Sequence, residues 1–245
     1  MQTIDRAMKV AHMLSSADTK KWMSISDLAG ACKLPISSMH RLLASMTLHG
    51  LVVQDAVTKH YALGNKWLEY GLQLYDTMDV VSYVRPELER LMQVTEESVY
   101  FSQPVGTEAL VIERIDCPSN TIRIHDQLGI RIPLNIGAAN KTMLAFMPDE
   151  QTSRFVEQLV HEDDRKAFFE QLALIKAQGY AVSHGERTAG TTSFAAPIVT
   201  AATGLVGAIS IGIVSFQLTK ERERFLIHHV QQTAKTISSK IGGRV

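Results

Sequence analysis

The sequence lacks the features that mark several classes of protein. Its 245 residues carry 25 Lys and Arg against 25 Asp and Glu, so no overall charge indicates a nucleic-acid or membrane-surface protein. The two cysteines, Cys32 and Cys117, stand at no metal-ligand or redox spacing, which favours a reducing compartment. No run approaches the roughly 18 apolar residues that span a bilayer. We therefore expect a cytoplasmic protein with no membrane partner, and we predict no metal and no cofactor.

What is present fits a globular protein of two unequal domains. The chain is longer than a typical single domain, and 45% of its residues are hydrophobic. The charges are unevenly distributed, since residues 1–63 hold seven Lys or Arg against four Asp, a net charge of +3. A mildly basic first segment weakly favours contact with an anion at that end of the chain.

The first 63 residues have the pattern of three short helices followed by a hairpin. Apolar residues recur at helical spacing from Ile4, and Ser24 or Ser26 is placed to cap a second helix. Pro35 begins a third helix, which ends at Gly50. The segment LVVQDAVTKHYAL then contains two β-prone runs around a polar turn. This order predicts a winged helix-turn-helix, in which a helix enters the major groove of DNA and the hairpin contacts the flanking backbone.

The third helix presents a polar face opposite its apolar one. Its early residues are those that usually meet DNA, and an arginine there can bind guanine through two hydrogen bonds. Basic residues in the preceding turn and at the wing tip can contact phosphates. The predicted DNA-contacting residues are Lys33, Ser37, Ser38, His40, Arg41, Ser45, Lys59 and His60. The alternative is a helical dimerisation or docking module whose polar face is simply solvated.

The rest of the chain predicts a linker helix and an α+β domain. Helical periodicity continues from about Asn65 to Glu97, with a break or a new helix start expected near Pro86. Strands dominate after Ser98, including TIRIHD, and helices recur at residues 141–146, 151–159, 164–178 and 220–241. We predict a DNA-binding domain over residues 1–63, a linker helix over 64–79 and a sensor-like domain over 80–245.

Four motifs, in order and at the expected spacing, resemble the IclR family of bacterial transcriptional regulators. LPISSMHRLLASMTLHGLV followed by HYALG resembles the recognition helix and wing of that family. RIPLNIGAANKTMLAF, QGYAVSHGERTAGTTSFAAPI and GAISIGIVSFQLT are similar to its effector-domain motifs. The resemblance implies a GAF-like effector-binding domain, homodimers that pair into a dimer of dimers, and repression or activation of a nearby operon.

The resemblance also implies a pocket for a small, usually carboxylate-bearing metabolite. By position, the residues that line it in family members fall here on Ile124, Ile132, Ala138, Ala139, Asn140, Ser183, Ser193, Ser210 and Gly212. The chain departs from the family pattern at three of them. Asn140 replaces a glycine, Gly212 stands where some acid-binding members have a hydroxyl, and Ser183 replaces an acidic residue of certain members.

The chemistry of these residues agrees with an anion site. Free N–H groups and the helix dipole at a helix start attract a carboxylate, and Ala138 and Ala139 are small enough to let one approach. Alternatively, the small residues only allow close helix–sheet packing, and the serines cap local backbone. Asn140 would either bind the ligand or cap the helix. Glu186, next to Arg187, is expected to form a structural ion pair or to anchor a loop.

We therefore predict a DNA-binding regulator that is not an enzyme. Its partners would be double-stranded operator DNA, a small organic acid and a second copy of itself. A small-molecule enzyme on a GAF-like domain is the second hypothesis, but it needs a nucleophile–base pair or a metal that the predicted lining lacks. A third is a sensor or adaptor that has kept the fold and lost DNA binding.

Overall fold

The computed structural model describes residues 2–16, 22–119 and 127–242. The chain divides into two compact units, residues 1–78 and 79–245. Within the described ranges, no helix combines the length and apolarity needed to cross a bilayer.

The first unit is the predicted set of three helices and a hairpin, followed by a fourth helix. It contains α1 (Gln2–Ser15), α2 (Ile25–Cys32), α3 (Ile36–Leu48), β1 (Val52–Gln54), β2 (Tyr61–Leu63) and α4 (Lys66–Asp76). Ser24 caps α2, because its hydroxyl accepts a hydrogen bond from the Asp27 N–H at 3.1 Å. Leu28, Met39 and Leu43 are fully buried where the three helices meet.

Two contacts fasten α4 and the hairpin to the rest of the first unit. The Trp67 indole donates to the carbonyl of Leu51 at 2.8 Å, which ties α4 to the start of the wing. Gly64 lies so close to Gly50 that a Cβ at Gly64 would stand 2.0 Å from the Gly50 carbonyl oxygen. Only glycine fits this position, which explains the last residue of the HYALG motif.

The second unit is a six-stranded antiparallel sheet with helices on both faces. Its elements are α5 (Asp79–Thr95), β3 (Ser98–Val105), β4 (Glu108–Ile115), β5 (Arg131–Pro133), α6 (Ala138–Phe146), α7 (Asp149–Leu159), α8 (Arg165–Gln178), β6 (Ala181–His184), β7 (Thr191–Thr200), β8 (Gly204–Val214) and α9 (Lys220–Gly242). The strand order is β5-β4-β3-β8-β7-β6. This arrangement confirms the predicted α+β class.

The two faces of this sheet differ in the size of their side chains. Large residues such as Phe101, Phe194 and Ile209 form the core against α5 and α9. Beneath α6 the opposite face carries the buried alanines Ala109, Ala181, Ala195 and Ala208. Small side chains let a helix pack close to the sheet, so α6 is deeply buried. Its residues Thr142, Met143 and Leu144 are fully covered.

The structure corrects two expectations about local structure and leaves a third untested. The predicted break at Pro86 is wrong, because α5 runs unbroken through this residue. Pro86 lacks the N–H that would bond to the carbonyl of Ser82, but Ser82 is exposed, so water can satisfy that carbonyl. Helix α6 begins at Ala138 rather than at Lys141. The strand predicted for TIRIHD lies outside the described residues.

Candidate functional site

A cavity of about 80 Å³ lies in the second unit, between the start of α6, the sheet and the β6–β7 loop. Eight of the nine residues implied by the family resemblance line it: Ile132, Ala138, Ala139, Asn140, Ser183, Ser193, Ser210 and Gly212. The ninth, Ile124, lies outside the described residues. Tyr100, Ser102, Val111, Ile136, Gly137, Gly185, Glu186, Arg187, Thr188, Thr191 and Thr192 complete the lining.

Strand register explains how residues distant in sequence reach one cavity. Ser183 pairs with Ser193, and Ser193 pairs in turn with Gly212 across β6, β7 and β8. Tyr100 and Ser210 form the neighbouring pair between β3 and β8. Because successive strand residues face opposite sides, all of these side chains point away from the large-residue core. The cavity floor is therefore a polar patch built from four strands.

The start of α6 presents unused N–H groups to the cavity. Gly137, with φ of 88°, precedes the helix and provides no side-chain cap. The backbone N–H groups of Ala138, Ala139 and Asn140 belong to the first turn, where no intrahelical acceptor exists. The helix dipole adds partial positive charge at the same place. This end of the cavity can therefore stabilise a negative charge.

Glu186 closes one side of the cavity and holds the β6–β7 loop to α6. Its Oε2 accepts a hydrogen bond from the Gly137 N–H at 2.9 Å, and its Oε1 lies 2.5 Å from the Lys141 ammonium. Burial alone would raise the pKa of Glu186. The hydrogen bonds from Gly137, Lys141 and Ser183 and the Lys141 charge outweigh burial, so this pKa falls below its ordinary value. Glu186 is thus an ionised loop anchor, and its partner is Lys141.

Asn140 has a structural contact that the sequence did not predict. Its Nδ2 donates to the carbonyl oxygen of Pro133 at 3.0 Å and lies 3.4 Å from that of Ile132. The expectation that Asn140 caps α6 is wrong, because it lies inside the first turn and bonds to β5. Its side chain fastens the β5 edge of the cavity to the helix, and a role toward a ligand stays a prediction.

Two serine hydroxyls inside the cavity lack protein partners. Ser102 is 4% exposed and Ser210 9% exposed, and neither side chain hydrogen-bonds to a described residue. Both hydroxyls are open to the cavity, so water or a ligand can hydrogen-bond to them there. Ser102 and Tyr100 were not among the predicted site residues. Their signal was the alternation in SVYFSQPV, where polar residues alternate with Val99 and Phe101.

The third helix of the first unit bears the predicted DNA-contacting face. Met39, Leu43 and Met46 are buried, and the opposite side exposes Ser37, His40, Arg41 and Ser45, with Ser38 half-buried. Lys33 and Lys59 are also exposed. Neither these lysines nor Arg41 forms an ion pair with a described residue, so their charges are available to phosphates or bases.

The wing between β1 and β2 is held by its own turn. The Asp55 Oδ1 accepts hydrogen bonds from the backbone N–H groups of Thr58 at 2.6 Å and Val57 at 3.0 Å. The bonds from Thr58 contribute most to lowering the pKa of Asp55. Lys59 adopts a left-handed backbone with φ of 58°, and the His60 ring contacts the Thr58 carbonyl at 2.9 Å. The turn therefore presents Lys59 outward and directs His60 toward the hairpin backbone.

Both units match models of one family. Residues 3–56 match the IclR helix-turn-helix domain, and residues 72–239 match the bacterial transcriptional regulator IclR C-terminal domain. The chain belongs to the IclR family. It is an IclR-type transcriptional regulator with a helix-turn-helix and a C-terminal ligand-binding domain.

Individual relatives agree with this IclR assignment over nearly the whole chain. The HTH-type transcriptional regulator KipR of Bacillus subtilis is 29% identical over 230 residues, covering 91% of each chain. The HTH-type transcriptional repressor AllR of Escherichia coli is 27% identical over 98% of this chain and 90% of its own. These relatives are transcriptional regulators rather than enzymes.

Solved structures of IclR proteins share the fold. The regulator from Alicyclobacillus acidocaldarius superposes with a TM-score of 0.83 at 19% identity, over 98% of both chains. An IclR homologue from Microbacterium hydrocarbonoxydans, solved in complex with 4-hydroxybenzoate, gives a TM-score of 0.81 at 19% identity, also over 98% of both.

Proposed function

We propose that this protein binds an operator through α3 and the wing and changes its operator affinity when a small carboxylate-bearing metabolite enters the cavity. The observation that carries the proposal is the uncapped start of α6, which directs backbone N–H groups into a cavity floored by hydroxyls. An enzyme would need a nucleophile with a base beside it. Among the described residues, the cavity lining contains neither cysteine nor histidine.

The carboxylate would bind to the first turn of α6. The N–H groups of Ala138 and Ala139 supply donors, and their methyl side chains leave room for the ligand. The relative from Microbacterium hydrocarbonoxydans supports this class of ligand, because its 4-hydroxybenzoate carries a carboxylate. The hydroxyls of Ser193 and Ser210 would bond to further polar groups on the ligand.

Operator binding would rest on Arg41 and its neighbours. Arg41 reaches base edges in the major groove, while Lys33 and Lys59 contact phosphates on either side. Specific recognition would then combine one discriminating side chain with several positioning contacts. Such binding occurs in the cytoplasm, on the bacterial nucleoid.

Self-association would place the DNA-binding units of two copies of the protein on one operator. Helix α4 exposes Leu68, Leu72 and Leu74, and each of these side chains is more than half exposed. Leu68 and Leu72 are four residues apart and so share one face of the helix, which favours burial against another copy. A two-fold dimer predicts a pseudo-palindromic operator with half-sites one helical turn apart or a multiple of it. A dimer of dimers would need a second contact surface besides this one.

A promoter-binding titration tests the proposal. The labelled DNA is the region upstream of the protein's own gene, and the titrations are repeated at rising salt. We expect affinity to fall steeply with salt, because phosphate contacts release counterions. Arg41→Ala should weaken operator binding by about 1–3 kcal/mol and reduce discrimination against unrelated DNA.

The control for Arg41→Ala is Arg154→Ala, which removes the same charge from α7 in the second unit. It should leave operator affinity unchanged. Equal affinity of wild-type protein and Arg41→Ala for the promoter would favour the alternative function, a sensor or adaptor that does not read DNA through α3.

A further inference from the structure

We propose that the cavity selects a short hydroxylated monocarboxylate, of about two to four carbon atoms, over aromatic acids and dicarboxylates. The inference rests on the proposed function, because it assumes that an acid binds at the start of α6. It names the chemical class that the rest of the cavity accepts. Three observations support it: the size of the cavity, the serine hydroxyls in its floor that have no partner in the described part of the chain, and the Glu186 carboxylate in its lining.

The small size of the cavity disfavours a benzene ring beside a carboxylate. Its volume is about 80 Å³. An engineered protein cavity that binds benzene measures about 150 Å³, nearly twice as much. Isoleucines at positions 132 and 136 and Tyr100 occupy part of the lining and limit expansion. A chain of a few carbon atoms therefore fits this space more readily than an aromatic acid does.

The hydroxyls of the floor require a ligand that can hydrogen-bond. Ser102 and Ser210 are more than nine-tenths buried, face the cavity and have no partner among the described residues. An apolar ligand would displace water from both and leave them unbonded, whereas a hydroxyl group both donates to and accepts from them. A site of this kind discriminates strongly against the analogue that lacks the hydroxyl.

Glu186 limits the ligand to one carboxylate. It is a fixed negative charge in the lining, and it already occupies the Gly137 N–H and the Lys141 ammonium. Arg187, the other charged residue of the lining, is itself engaged in an interaction. A second carboxylate placed beside Glu186 would face repulsion from it. Hydroxyl groups on the ligand meet no such penalty, because they can donate to Glu186.

Calorimetric binding to the full chain tests the inference with four sodium salts. Glycerate represents the proposed class, and propionate is the matched acid without hydroxyls. Tartronate adds a second carboxylate, and 4-hydroxybenzoate adds a ring. We expect glycerate to bind at least about tenfold more tightly than each of the others, the equivalent of about 1.4 kcal/mol. In Ser210→Ala, and separately in Ser102→Ala, the preference for glycerate over propionate should shrink to about threefold or less.

Ser98→Ala is the matched control. Ser98 is a buried serine of the same sheet face that pairs with Gly212, but its hydroxyl accepts from the Cys117 N–H and lies outside the cavity lining. It should keep the full preference for glycerate. Thermal melting of each variant shows that it is folded, and having two cavity variants keeps the test valid if one fails to fold.

The outcomes separate the inference from the proposed function. Binding of 4-hydroxybenzoate or tartronate as tight as that of glycerate would overturn the inference and leave the acid pocket standing. An unchanged preference for glycerate over propionate in both Ser102→Ala and Ser210→Ala would also overturn the inference and leave the acid pocket standing. If none of the four acids binds, the acid pocket itself fails, and the inference fails with it.

Discussion

Removing the carboxylate of the Lys141–Glu186 pair should cost more than removing its ammonium. The Lys141 side chain is 5% exposed, whereas that of Glu186 is 30% exposed. In Glu186→Gln the buried ammonium loses its counter-charge and keeps only neutral acceptors among the described residues, the new amide oxygen and the Gln171 side chain at 3.5 Å. In Lys141→Met the remaining carboxylate still has water, Gly137 and Ser183 as partners. The difference in burial sets the order of the two effects.

The magnitudes follow from the known cost of an uncompensated buried charge. Such a charge destabilises by about 3–5 kcal/mol, and we take about 3 for Glu186→Gln because water reaches the carboxylate side of the pair. Lys141→Met should cost about 1 kcal/mol, as for a partly solvated pair. The double variant removes both charges and should cost about 2 kcal/mol. If the two single effects were additive, the cost would be about 4 kcal/mol, so the coupling energy between the two residues is about 2 kcal/mol.

Differential scanning calorimetry of the four proteins measures these effects on the second unit. Trp22 and Trp67 both belong to the first unit, so tryptophan fluorescence follows that unit separately. We expect the fluorescence transition of the first unit to stay in place while the calorimetric transition of the second unit moves. A larger loss from Lys141→Met than from Glu186→Gln, or strictly additive losses, would refute the reasoning.

Three further predictions concern pH and two backbone positions. The pKa of Glu186 is lowered in the folded state, so its ionised carboxylate stabilises the fold at pH values above the ordinary pKa of 4.5. This stabilisation is lost as the pH falls through the pKa of the folded state. The melting temperatures of wild type and Glu186→Gln should therefore converge in acid. Gly64→Ala places a Cβ 2.0 Å from the Gly50 carbonyl oxygen, so in gel-shift assays it should abolish operator binding. The melting transition of the second unit should stay in place. The control, Gly71→Ala, has open space around its Cβ and should bind the operator normally. In urea titrations, Asn140→Gly should lower the stability of the second unit by about 2–4 kcal/mol, because it removes the side-chain hydrogen bond to β5 and places glycine in a helix. Asn140→Ala removes the same hydrogen bond without the glycine and should cost about 1 kcal/mol less.

Local periodicity was enough to predict most of the elements. The apolar face of α3 and the polar wing turn are encoded by residues close together in the chain, so patterns of 3.6 and 2 residues find them. The strands β5 and β6, which are only three and four residues long, were not predicted. The break expected at Pro86 was wrong because that expectation left out solvent access to a single carbonyl.

The cavity could be located only through the family motifs. Ser183, Ser193 and Gly212 lie on three strands, and their pairing depends on sheet register, which periodicity does not specify. Lys141 and Glu186 are 45 residues apart, so nothing local indicates that they meet. Side-chain hydrogen bonds of this kind depend on tertiary packing.

The central claim is that an acid bound in the second unit changes the operator affinity of the first. Fluorescence anisotropy of a labelled operator, with and without a saturating concentration of the acid that binds most tightly in calorimetry, measures this directly. We expect the operator Kd to change about fivefold or more, the range of typical allosteric coupling. An operator Kd that stays the same while calorimetry shows the acid bound would contradict the account.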